Sequence, residues 1–143
     1  MYKAKAVLVT ITGAVGSFII NDLMGGWTKD LETLLIMMVI DFIMGFLIAG
    51  VWKKSGKSET GTLSSVSAWK GLCRKVGSLA LVIVAYRLDV IMGTSYIKTG
   101  VIIAFIVNEG LSIMENYGIM GGPMPDVLKK ALEVLQSKSK GGQ

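Results

Sequence analysis

The chain has 143 residues, 52% of them hydrophobic and only 17% charged, with a mean hydropathy of +0.60; a soluble domain carries about a quarter of its residues as charge, so water is excluded as the solvent for much of this surface. There is no histidine and one cysteine, Cys73. The commonest general base and metal ligand is therefore missing, no intrachain disulfide can form, and neither enzymatic activity nor a cofactor is expected.

The apolar residues fall into four blocks, each close to the roughly 20 residues that cross a hydrocarbon core. The first covers residues 6–24, AVLVTITGAVGSFIINDLM. Lys3 and Lys5 precede it, and Ala14 and Gly16 mimic the small residues of a cleavage site. The apolar run Phe18-Ile19-Ile20 continues past them, which favours a retained helix over a removed signal peptide. The second block, residues 34–52, is the clearest, and Asp41 alone interrupts it. The loop after it, SGKSETGTLSSVS from Ser55 to Ser67, is rich in Ser, Thr and Gly and is expected to be a flexible connection. The third block, residues 76–92, carries Arg87 and Asp89, and the fourth, residues 97–114, carries Glu109. After Gly121-Gly122-Pro123, residues 125–138 have Val127, Leu128, Ala131, Leu132 and Leu135 at helical spacing, with Lys129, Lys130 and Lys138 in the same segment. That pattern predicts a basic amphipathic helix at a membrane surface or against a neighbouring helix.

The expected architecture is thus an all-α integral membrane protein: a bundle of four transmembrane helices, or three if the first block does not span, plus a C-terminal amphipathic helix. Residues 1–120 form the membrane domain and residues 121–143 the cytoplasmic tail. With four spans, twelve of the fifteen Lys and Arg residues fall on one side: Lys3, Lys5, Lys53, Lys54, Lys57, Lys70, Arg74, Lys75, Lys129, Lys130, Lys138 and Lys140. The other side has only Lys29 and Lys98. This bias predicts cytoplasmic termini and explains the net charge of +5 as a topology signal, with no nucleic-acid partner. Trp27, Trp52, Trp69, Tyr96 and Tyr117 sit near span ends, where amphipathic rings settle among headgroups.

Ionisable residues inside a span cost a few kcal/mol and are candidates for function. At 1.5 Å per residue, Asp41, Arg87 and Glu109 lie within about one helical turn of each other in depth. Arg87 is expected to pair with Glu109, Asp41 or both. Two roles are open to such charges: a buried ion-pair network that fixes helix register, or the lining of a water-filled lumen once copies assemble. Asp89, Ser112 and Asn116 complete the polar candidates, with Glu109, Ser112 and Asn116 forming one stripe. Small residues at helical spacing, Gly13 and Ser17, Gly45 and Ala49, and Gly77 and Ala80, mark faces for close helix approach in lipid.

Three stretches resemble the toxin-secretion and phage-lysis holins of Gram-positive bacteria and their phages, a group that includes the clostridial toxin-secretion holins. They are IDFIMGFLIAG, with Asp41 and Gly45; WKGLCRKVGSLALVIV, where Gly71, Arg74 and Lys75 match a Gly-x-x-Arg-Lys pattern; and NEGLSIMENYGIMGGPMPDVLKKAL. The last is the most specific, although Asp126 stands where that pattern has a basic residue. The likeness runs from about Leu34 to Leu135. It implies a protein of the bacterial cytoplasmic membrane whose partners are the lipid bilayer and further copies of itself. Such a protein opens lesions at a set time to release an endolysin, a toxin or a bacteriocin, and an antiholin is a further partner of that system. The competing readings are a small four-helix transporter and a membrane-embedded assembly subunit. Transporters of that size carry an acidic residue in the first span, and residues 6–20 have none.

Overall fold

A computed structural model describes residues 2–55 and 60–140. Among these residues five helices follow one another: α1 (Tyr2–Phe18), α2 (Lys29–Leu47), α3 (Ser65–Met92), α4 (Ile97–Ile119) and α5 (Asp126–Lys140). α1 and α2 each end in a wider π-helical turn, Ile19–Leu23 and Ile48–Trp52. Part of the expected flexible connection, residues 56–59, lies outside the described residues. Its C-terminal end already belongs to α3, because the hydroxyl of Ser64 accepts the Ser67 N–H at 3.3 Å and starts the helix there.

α2, α3 and α4 form the core. Leu31, Leu34 and Met38 recur at three- and four-residue steps down α2 and meet Ile102 and Ile106 of α4, with Val82 of α3 and Met24 closing the cluster. Leu31, Leu34, Val82 and Ile102 are wholly inaccessible. α2 packs mainly on α4, α3 on α4 and more lightly on α2, and α5 on α4. The helices alternate in direction, so the starts of α2 and α4 share one end with the finish of α3. α1 has no extended contact with the bundle and no buried residue. Its Val7, Leu8, Val9, Ile11, Val15 and Phe18 are all more than half exposed, an arrangement that only an apolar solvent tolerates.

Three helical stretches, Tyr2–Leu23, Lys29–Trp52 and Ile97–Ile119, are long and apolar enough to cross a membrane. α3 is longer, at 28 residues, but its uncharged run covers only residues 76–86 between Lys75 and Arg87, about 16 Å of helix. α3 therefore needs Lys75 answered inside the bundle. Trp27, Trp69, Tyr96 and Tyr117 are exposed near helix ends, as anchoring rings should be.

The turn between α1 and α2 depends on Gly25. Its φ is +74°, and a Cβ there would run into the ring of Tyr86. Gly25→Ala should therefore destabilise the purified protein by about 1–3 kcal/mol, read as a lower denaturation midpoint in detergent. An equal change at Gly26→Ala, where φ is also positive but no atom lies within 4 Å, would show that strain alone, without the Tyr86 contact, accounts for the loss.

Candidate functional site

α2 carries Asp41 on the same stripe as Leu34 and Met38, so its carboxylate enters the bundle with the core residues. Twelve residues from the start of its helix, it lies about 18 Å from that end. Glu109 is also twelve residues into its own helix, α4, which starts at the same end, and so reaches the same level. Between them comes Lys75 of α3. Its Nζ donates to Asp41 Oδ2 at 2.9 Å and to Glu109 Oε2 at 2.5 Å. The Asn116 amide donates to the other Asp41 oxygen, Oδ1, at 3.0 Å. Asp41 and Glu109 are buried and Lys75 is largely so, with 6%, 8% and 14% side-chain exposure. Two carboxylates thus share one ammonium near the middle of the molecule.

The second polar cluster closes the opposite end. Asp89, near the finish of α3, is buried and accepts the backbone N–H groups of Ile97 at 3.1 Å and Lys98 at 2.8 Å. It also accepts the Thr94 hydroxyl at 2.5 Å. Two otherwise orphaned N–H donors of the first turn of α4 and one hydroxyl of the preceding turn are satisfied by a side chain from α3, and its negative charge faces the positive end of α4. Lys98, itself buried, lies 5.8 Å from the centre of the Tyr86 ring, a cation–π distance.

Around the triad, α2, α3 and α4 leave a groove of about 720 Å³. Asp41, Gly45 and Ala49 line it from α2, Ser67, Gly71, Lys75, Gly77 and Ser78 from α3, and Glu109, Ser112 and Glu115 from α4. The small residues keep the helices' side chains out of the space, and hydroxyls and charges remain as its polar wall. Phe42, Phe46, Leu81 and Leu111 supply the apolar remainder. Among the described residues, no cluster of three or more His, Cys, Asp or Glu side chains could hold a metal.

The structure thus brings together Asp41, Glu109, Ser112 and Asn116, with Gly45, Ala49 and Gly77 beside them. It leaves Arg87 exposed, and the cation between the carboxylates is Lys75. The apolar pattern of the third block starts at residue 76 and puts Lys75 among the loop's topology charges, which leaves Arg87 as the expected partner of the carboxylates. In fact α3 begins ten residues before Lys75. The stripe Lys75, Val82 and Asp89, at seven-residue steps, is the sequence signal that would have shown it. Ala80 is exposed on α3, and Gly13 and Ser17 are exposed on α1, where the Ser17 hydroxyl accepts from Asn21 at 3.0 Å. Lys129, Lys130 and Lys138 are exposed on α5, whose Leu132 and Leu135 turn toward α4 and the core.

The fold and this site define a class: a helical membrane protein whose spans carry ionic groups that answer one another. The chain belongs to the bacteriophage holin family, whose model matches residues 18–137. It is 37% identical over 113 residues to a "probable holin" of Bacillus phage phi105, covering 78% of both chains. An uncharacterized protein of Halalkalibacterium halodurans is 34% identical over 90% of this chain and 94% of its own length. An uncharacterized 14.9 kDa protein of Clostridium perfringens is 34% identical over 80% and 82%. No solved structure matches.

Replacing Lys75 by Met should leave two facing carboxylates without a cation and destabilise the protein by about 3–5 kcal/mol. The triple variant Asp41→Asn, Lys75→Met, Glu109→Gln should recover most of that loss, both measured by denaturant unfolding in detergent micelles. At the other end, Asp89→Ala should cost about 1–2 kcal/mol as a lost helix cap. Amide exchange should rise at Ile97 and Lys98 and stay unchanged around Glu109.

Proposed function

We propose that this chain is a holin of the bacterial cytoplasmic membrane, with both termini cytoplasmic, which assembles into lesions through which an endolysin, or a toxin or bacteriocin, leaves the cell. One observation carries the reading: a groove with Asp41, Lys75, Glu109, Ser67, Ser78 and Ser112 on its wall lies between α2 and α4, both long and apolar enough to cross a membrane. Polar atoms there are costly against acyl chains and stable against water. A single bundle hides most of that charge in the triad. When several copies turn their grooves toward a common centre, the same atoms line an aqueous lumen, and no catalytic group is needed. Membership of the holin family and the phage relative support this use of the groove. The basic end of the bundle, with Lys53, Lys54, Lys70 and Arg74, supports an inward orientation.

Expression from an inducible promoter should give normal growth and then abrupt arrest, with leakage of a large cytosolic enzyme. Depolarising the membrane should advance the onset. In cells that also express an endolysin, lysis should coincide with that leakage. Resistance to cationic drugs without leakage of protein would instead assign the chain to transport, and depolarisation without effect on permeability would refute a timed lesion.

A further inference from the structure

α5 occupies a crevice on the far side of α4 from the groove. It begins beside the end of α4 and returns along it, so that Leu132 lies over Gly110. A Cβ on Gly110 would be 2.7 Å from Leu132 Cδ2 and 3.3 Å from Met37 Cε of α2. Gly110 is buried. The missing side chain is thus a notch between α2 and α4 that accepts a side chain from another helix, and Leu135 continues the contact into the core cluster.

α5 is a poor permanent occupant of that notch in lipid. Gly110 lies thirteen residues into α4, about 20 Å from its start, well within a hydrocarbon layer of about 30 Å. Because α5 runs back along α4, Lys138 falls about 9 Å deeper than Leu132, with its ammonium exposed where acyl chains would surround it. The fit is also partial: Val127, Leu128 and Val134 remain 78%, 53% and 54% exposed. These residues and the lysines suit the inner-leaflet surface better than the side of α4.

A helix that replaces α5 at membrane depth must be apolar and long enough to span. α1 meets both requirements. It continues to Leu23 as a 22-residue apolar stretch, has no charge between Lys5 and Asp22, and buries no residue of Tyr2–Phe18 in its own bundle. We propose that the α2–α4 crevice at Gly110 is a self-association surface, and that in the membrane α1 of a second copy takes the place of α5. The contact is head-to-tail: each copy offers one α1 and one crevice. Repeated, it yields rings or open chains of any number. The surface lies opposite the charged groove, and the inference needs only residence in a membrane, whether or not the groove lines a lumen.

Disulfide trapping in membranes tests it. In a Cys73→Ser background, one population carries Met37→Cys and a co-expressed population carries a single cysteine at each position from 8 to 18 of α1 in turn. Only contacts between copies can then form mixed dimers. The expected result is strong mixed dimer formation at positions three or four apart, and weak formation between them. Leu132→Glu, which expels α5 from the notch, should raise the yield several-fold, and Gly110→Leu, which fills the notch, should lower it several-fold. Uniform yields around α1, or yields that neither substitution changes, would overturn the proposal. Enzyme leakage measured in the same cells separates the two ideas: patterned cross-links without leakage uphold the surface and refute the lesion, whereas leakage without patterned cross-links does the reverse.

Discussion

Everything in the bundle depends on one electrostatic constraint: Asp41 on α2 and Glu109 on α4 are buried at one level, and the ammonium of Lys75 must reach both. A carboxylate withdrawn from water without a partner is strongly destabilising, so the three helices have little freedom to slide. Lipid offers no hydrophobic force to hold apolar helices together. In such a solvent a shared ion does work that core burial performs in a soluble protein. Asn116 adds direction to the arrangement, because its amide meets the one Asp41 oxygen that Lys75 does not use.

α3 is the helix that needs this most. Its uncharged run is about 16 Å long, too short to cross a membrane alone, and it is flanked by Lys75 and Arg87. Lys75 is answered by the triad at one end. At the other, Asp89 enters the backbone of α4 as a cap. Two polar anchors about 21 Å apart along one helix fix both the tilt and the register of α3 against α4. Apolar packing between them, at Val82, then needs only to fill space. Arg87 faces outward and takes no part.

Much of this was legible in the sequence and some of it was not, for a physical reason. The apolar blocks of α1, α2 and α4 are long enough to announce themselves, and Asp41 and Glu109 stand out because charge is rare in such blocks. The role of Lys75 was hidden because basic residues at the edge of a span serve two purposes that look alike in one dimension. They fix topology from outside, or they reach inward on a flexible stem. Only the true start of α3 at Ser65 separates the two, and its Ser64 cap lies in a stretch whose composition suggests a loop. The docking of α5 was foreseen only as one of two outcomes, since an amphipathic helix suits a membrane surface as well as a neighbouring helix. The notch at Gly110 that selects the neighbour is a feature of two helices at once.

The molecule therefore divides into a part that is fixed and two parts that are not. α2, α3 and α4 are tied by ions and a cap. α1 has no buried residue, whereas α5 packs along α4 with Leu132 and Leu135 turned toward the bundle and no ion tying it there. A protein that must stay harmless as a small unit and act as a large one gains from that division. In the proposed exchange the elements that change partners are the ones outside the ion-tied core, so the triad would survive unchanged. The stiffness of the triad is what makes such an exchange informative to the assembly. A rigid core presents its groove on one side and its crevice on the other at a constant angle, and a constant angle between two interfaces is what lets identical subunits close around a common centre.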